Sequence, residues 1–272
     1  MANILISYSG RTNSTYALWN WLSNTSHNIT AVYSVEDWQK SKFSDADERE
    51  VQQKNGADAV VAWLKSNVRD FTYETVTWPM SYTENFQPIR EGFSWHMDVG
   101  HLEPRYHGLK QLIDSRSPDG VVVGMSLENT SHDCGYGAFR SHIETEGVDI
   151  YLAGSRDFSP VPKGASFNWD VVAPPLSGRF EQWAALPSDL SALIPSSCLV
   201  FHDPRTAAGT ACLNCHYLLV RDEVTDKTPA EIDTVFAEEG CYGQWRGNAD
   251  PNTYTYRGNP TLIARKLLNL NE

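Results

Sequence analysis

No stretch of this sequence approaches the ~20 consecutive apolar residues needed for a membrane-spanning helix, so a membrane is not an expected partner. The chain does not open on a basic segment followed by an apolar core, so no export signal is read and a cytoplasmic location is expected. Low-complexity tracts and repeats of solenoid period are also missing. Positive charge is scarce: 22 Lys and Arg stand against 34 Asp and Glu, for a formal net charge of −12. A chain of that sign is repelled by a phosphate backbone, which counts against nucleic acid as the main partner. Small anions are a different matter, because backbone N–H groups at a helix start bind them whatever the net charge. Cysteine is sparse and odd in number: Cys134, Cys198, Cys212, Cys215 and Cys241. An odd set in a cytosolic chain argues against a disulfide framework. Three of the five fall between positions 198 and 215, a clustering that suggests a metal more than a redox pair.

What is present is an alternation of strand and helix patterns over the first 125 residues. Asn3 to Tyr8 reads as a short apolar strand, followed by a small, polar loop and a helix with Ala17, Leu18, Trp21 and Leu22 on one face. Thr12 and Asn13 are the candidates to cap it. Ile29 to Val35 reads as a strand, and Asp45 to Lys65 as a helix with Val51, Val60, Val61 and Leu64 facing in. Phe71 to Val76 is a third strand, and a helix runs through Leu102, Tyr106, Leu109, Leu112 and Ile113. The unbroken apolar run Gly120 to Met125 fits a parallel strand covered on both faces. This alternation predicts an α/β fold with a doubly wound parallel sheet, whose ligands sit at the carboxyl ends of the strands.

After about residue 145 prolines loosen the pattern, with helices expected over Arg179 to Ala185, Pro229 to Glu239 and Thr261 to Leu270. The expected organisation is a nucleotide-binding core over residues 1–145. A cysteine-containing elaboration over 146–272 is docked on it as one structural unit.

The first loop carries the sharpest chemical signal. A strand ending in Ser-Gly that leads into Ser-Thr at a helix start is a phosphate-binding arrangement, since an anion can satisfy the unpaired first-turn N–H groups. The bland alternative is a plain strand–turn–helix. The run Tyr8-Ser9-Gly10-Arg11-Thr12-Asn13-Ser14-Thr15 resembles the PP-loop of the ATP pyrophosphatases, Ser-Gly-Gly-x-Asp-Ser-Ser/Thr, straight after the first strand. Arg11 stands where that family has its second glycine, and Asn13 where it has aspartate.

Later blocks follow the order of the 7-cyano-7-deazaguanine synthase branch of that superfamily. Glu103-Pro104-Arg105-Tyr106 is similar to its Pro-x-Arg-Asn helix start, without the asparagine. Gly120 to Gly124 leads to Asp133-Cys134-Gly135-Tyr136, like the branch's apolar strand and its Asp-Cys loop. Pro175-Leu176 precedes Arg179-Phe180-Glu181, where the branch has Pro-Leu and a Lys-x-Glu helix. Ser197-Cys198, Gly209 and Cys212-Leu213-Asn214-Cys215 follow, with Leu218 in place of the branch's last cysteine. The resemblance covers roughly residues 3–220 by order of blocks.

Zinc favours four tetrahedral N or S ligands, and Cys212 and Cys215 form a compact clip to which Cys198 adds a third sulfur. His216, His202 and Cys241 are candidates for the fourth ligand; three buried thiols are the alternative. His96, His101 and His107 read as polar surface or pocket groups. Trp78 and Trp95 are candidates to stack on a planar base, with packing as their simpler role.

The resemblance implies the adenine nucleotide alpha hydrolase type of Rossmann-like fold, with ATP and Mg²⁺ as cofactors and a structural Zn²⁺. It implies ATP-dependent adenylation of a deazapurine carboxylate, amidation by ammonia, and dehydration to a nitrile. The residues it assigns to the phosphates are Ser9, Gly10, Arg11, Asn13, Ser14 and Thr15. Asp133, Arg105 and Gly124 fall on the substrate or nucleotide side. Two alternatives stay open: an amide ligase that uses another amine, and a member that binds nucleotide or deazapurine without turnover. A homodimer is a further open possibility.

Overall fold

The computed structural model describes residues 1–36, 46–78, 111–123, 147–161, 177, 179–194, 226–238, 241–242, 255–256 and 260–270. Five parallel strands form one sheet: β1 (Asn3–Tyr8), β2 (Asn28–Glu36), β3 (Thr72–Trp78), β4 (Gly120–Val123) and β5 (Asp149–Leu152). Their order is β3-β2-β1-β4-β5. The chain builds outward from β1 through β2 and β3, then returns to the other side of β1 for β4 and β5. The protein is therefore α/β with an all-parallel sheet, in a doubly wound order compatible with a Rossmann-like fold. The order reverses between β1 and β4, so the carboxyl end of β1 lies beside the crevice where such sheets take ligands.

Register explains how the two faces are built. Ile4, Ile6 and Tyr8 of β1 stand opposite Ile29, Ala31 and Tyr33 of β2, and Ile6 stands opposite Val122 of β4. All of these share one face and belong to the main apolar cluster. That cluster also takes in α1 (Thr12–Asn24) and α2 (Ala46–Asn67). Leu5, Val121 and Ile150 point to the opposite face and are buried as well. Leu112 and Ile113, in the helical residues 111–116 that precede β4, are buried too. Continuous apolar strands are what a sheet covered on both sides requires.

Several expectations change. Val51 is 58% exposed, although it was expected to face in. Among the described residues the buried apolar side chains of α2 are Ala57, Val60, Val61 and Leu64, a stripe of helical period; at about 100° per residue Val51 lies on the far side of that stripe. Strand β5, in a stretch read as loosened, completes the sheet edge beyond residue 145. Of the helix expected around 102–113, only its end falls among the described residues.

The second half of the chain contributes α3 (Arg179–Ala185), α4 (Ser188–Ser191), α5 (Pro229–Glu238) and α6 (Pro260–Leu267). A two-strand pair, β6 (Cys241–Tyr242) with antiparallel β7 (Thr255–Tyr256), lies between the last two helices. Helix α3 packs on α1 and on α6. Thr228 and Glu231 cap α5 reciprocally: the Thr228 N–H donates to Glu231 at 2.7 Å and the Glu231 N–H donates to Thr228 Oγ1 at 3.3 Å. Among the described residues no helix is long and apolar enough to cross a membrane.

Thr261 ties α6 to its neighbours. Its hydroxyl is fully buried, donates to the Trp183 carbonyl at 2.9 Å, and pairs with Ser191 Oγ at 2.8 Å. Valine has nearly the same shape and no hydroxyl, so Thr261→Val strands buried polar groups. Unfolding in urea should show a loss of about 1–3 kcal/mol. The exposed Thr234→Val change should cost under about 0.5 kcal/mol.

Candidate functional site

The turn between β1 and α1 sits at the carboxyl end of the central strand. Gly10 has φ +73°, in the left-handed region that favours glycine. A Cβ there would also meet Ala57 Cβ of α2 at 2.8 Å. The loop backbone is thus pressed onto α2, and both the turn and the contact demand glycine.

Helix α1 starts at Thr12, with Arg11 as its N-cap in extended backbone. Neither Thr12 nor Asn13 caps it, as had been expected, because both already lie within the first turn. The Arg11 side chain makes no capping hydrogen bond, and the first turn holds no acidic residue. The positive end of this 13-residue helix is therefore not offset by a carboxylate of its own first turn. By helix geometry, first-turn amides find no acceptor within their own helix.

Ser14 closes the turn. Its hydroxyl donates to the Arg11 carbonyl at 3.1 Å. It accepts from the Ser9 N–H at 3.2 Å and lies 3.0 Å from Ser9 Oγ. With its proton on Arg11 O, Ser14 Oγ accepts from both groups of Ser9. Two further helices brace the loop. From α2, Gln53 Nε2 donates to the Ser9 carbonyl at 2.9 Å, and Gln53 Oε1 accepts from the Arg11 guanidinium at 3.4 Å. From α3, the fully buried Trp183 donates its indole N–H to Thr12 Oγ1 at 3.1 Å.

The expected loop residues Ser9, Gly10, Arg11, Asn13 and Ser14 are thus gathered at one helix start. Thr15 is buried one step further along, beside the Tyr8 hydroxyl. Gln53 and Trp183 were not among the expected site residues. Gln53 had a readable signal only in part: it falls on the inward stripe of α2, four residues before Ala57. Nothing local pairs Trp183 with Thr12, 171 positions away.

Polar groups continue along the same edge of the sheet. The Ser177 N–H donates to the Gly154 carbonyl at 2.8 Å, just after β5, and Gln182 Nε2 reaches the Ser177 carbonyl at 3.3 Å. Tyr16, near Ser177 and Glu181, is pushed up in pKa mainly by burial. Arg156 makes a two-point contact with Glu181 at 2.6 and 2.8 Å. Here Arg156 is paired with Glu181, so the groups suited to holding an anion are those of the β1–α1 turn: its hydroxyls and the start of α1, whose first turn holds no acidic residue.

Asp133, Arg105, Gly124, Cys198, Cys212, Cys215, His216 and His202 lie outside the described residues, as do Trp95, His96, His101 and His107. Among the described residues no group of three or more His, Cys, Asp or Glu is placed to hold a metal ion. Cys241, a further candidate zinc ligand, lies in β6 opposite Tyr256. No protein-family model and no curated protein matches the chain.

Gly10→Ala tests the turn directly, because it combines an unfavourable φ with a contact that backbone and helix must yield to. Thermal and urea unfolding should show a loss of about 1–3 kcal/mol or more.

Burial holds the Tyr8 phenol protonated far above the ordinary tyrosine range, with the Thr15 hydroxyl beside it pulling weakly the other way. Tyr73 is also raised, by burial first and then by Asp58, whose carboxylate accepts its hydroxyl at 2.8 Å. A raised folded pKa means that the unfolded state ionises first. The stabilisation is complete below about pH 10 and is lost as pH climbs above it. Phenolate absorbance from these rings should therefore appear only as tertiary circular dichroism is lost. Tyr8→Phe should remove one phenolate from that late phase. A single early titration of all tyrosines in folded protein would contradict the burial argument.

Proposed function

We propose that the β1–α1 turn holds the phosphate chain of an adenine nucleotide, and that the chain is an ATP-dependent ligase of the PP-loop type. The observation that carries this reading is the turn itself. Gly10, at left-handed φ and pressed on Ala57, brings Ser9, Ser14 and an acid-free helix start together at the switch point of the sheet.

The finer reading rests on the resemblance: the adenine nucleotide alpha hydrolase type of fold and the 7-cyano-7-deazaguanine synthase reaction. ATP supplies an adenylate leaving group for a deazapurine carboxylate, with ammonia as nucleophile and a second activation giving the nitrile. In that scheme the loop hydroxyls and first-turn amides orient the phosphates, and Arg11 adds positive charge. Mg²⁺ would share that charge. Cys198, Cys212, Cys215 and His216 would hold a structural zinc in the C-terminal elaboration. Asp133, Arg105 and Gly124 would serve the substrate and nucleotide side.

A second reading keeps the nucleotide but changes the outcome: a different amine acceptor, or binding without turnover. It is favoured by Arg11 and Asn13 standing where the family has glycine and aspartate. The Arg11 guanidinium is moreover engaged by Gln53.

Pyrophosphate release from ATP and Mg²⁺ with 7-carboxy-7-deazaguanine and ammonium separates these. The wild type should release it, and a Ser9→Ala, Ser14→Ala double variant should lose about a hundredfold or more. Release only with another amine would move the assignment to a different ligase. Saturable nucleotide binding with no release would make this a binding protein. No nucleotide binding by folded protein would remove the loop from consideration.

A further inference from the structure

We infer that Thr15 serves the phosphate loop as a positioning residue, steadied from beneath by the Tyr8 hydroxyl, and not as a ligand of the phosphates. This rests on the nucleotide reading of that loop. Both polar groups of Thr15 are turned to the protein. Its N–H donates to the Arg11 carbonyl at 2.8 Å, the first regular hydrogen bond of α1. Its side chain is fully buried, next to the Tyr8 hydroxyl. Ser14, one residue earlier and about 100° around the helix, instead turns its hydroxyl to Ser9. The two neighbours therefore serve different sides of the turn.

Tyr8 is the last residue of β1 and is itself buried, directly before Ser9. Its hydroxyl donates to the Ala57 carbonyl at 3.4 Å, on the residue that Gly10 is pressed against. With that proton spent, Tyr8 Oη can only accept from Thr15. Thr15 Oγ1 makes no well-formed hydrogen bond among the described residues, so the phenol is a loose polar neighbour. Replacing it with a hydrocarbon edge takes that neighbour from a hydroxyl that burial already separates from water. The first turn of α1 must then shift to recover a partner, and Ser14, next to Thr15, moves with it. Burial keeps the Tyr8 phenol protonated, so this junction of β1, α1 and α2 carries no charge that would repel an anion above it.

The test is binding of inorganic pyrophosphate, by calorimetry, to the full chain. Four proteins are compared: wild type, Tyr8→Phe, Thr15→Val and the double variant. Tyr8→Phe should weaken binding by more than about threefold, with Tm within a few degrees of wild type. Thr15→Val keeps the side-chain shape and leaves Tyr8 its Ala57 partner, so Kd should change by less than about threefold. The double variant is apolar on both sides of the contact, and its Kd should return to within about threefold of wild type. A larger loss from Thr15→Val alone would mark a direct phosphate ligand and overturn the inference, whatever Tyr8→Phe does to the fold. A lower Tm with unchanged Kd in Tyr8→Phe would mark a merely structural part and overturn it too. So would a Tyr8→Phe loss that Thr15→Val fails to relieve. No pyrophosphate binding by the wild type would overturn the nucleotide reading and this inference with it.

Discussion

The close approach of Gly10 to Ala57 is the constraint on which the candidate site depends. A strand that runs straight into a helix must turn within two or three residues. Here the turn is made by one left-handed residue whose missing side chain is replaced by α2. That contact fixes the depth at which α2 lies over the sheet. Depth then decides which α2 residues reach the loop: Gln53 reaches Ser9 and Arg11, and Tyr8 reaches the Ala57 carbonyl at 3.4 Å. A bulkier residue at either contact position would move the helix, and the polar bracing would go with it.

The same apolar cluster connects the site to distant parts of the chain. Trp183 is buried between α1 and α6 and spends its single donor on the first helical residue of α1. Its carbonyl takes the Thr261 hydroxyl, so α6 stands two hydrogen-bonding contacts from the loop. Trp21, on the opposite end of α1, packs edge-on against Tyr151 and Phe158 at centroid distances of 4.9 and 5.2 Å. Helix α1 is therefore clamped at both ends by aromatic rings from beyond residue 145. A rigid α1 matters for an anion site, because the field of a helix end falls off within about one turn.

Legibility in the sequence followed the range of the interactions. Strand β1 and helices α1 and α3 were readable because their apolar residues are the ones packed inside: Ile4 to Ile6 in β1, Leu18, Trp21 and Leu22 in α1, and Trp183 and Ala184 in α3. Strand β5 was not: four residues, Asp149 to Leu152, carry too little pattern, and only pairing with β4 makes them a strand. Val51 misled for a related reason, since an apolar residue near the start of a helix says nothing about which side faces in until the stripe is fixed by Ala57 and Leu64. The cap was misplaced because Thr and Asn suit capping by type, while the turn at Gly10 sets the helix start one residue earlier. The loop itself was legible as a motif, but its bracing was not. Gln53 lies 44 residues from Ser9, and nothing in either local stretch announces the contact.

Hydrogen bonding inside the loop bears on where binding energy would come from. Ser14 Oγ already uses its proton on Arg11 O and receives two donors from Ser9. An anion that draws on either hydroxyl exchanges one hydrogen bond for another, and such exchanges contribute little net free energy. The favourable balance would then rest on charge more than on the loop hydroxyls, and the end of α1, whose first turn holds no acidic residue, is one such source. In a chain of net charge −12 the long-range field opposes an anion. At about 8–10 Å screening removes most of that opposition, while charges in contact with the ligand are screened far less. Under the proposed nucleotide reading, such a site would select its ligand by concentrated negative charge at short range. On that reading a polyphosphate would be favoured over a monoanion of the same size.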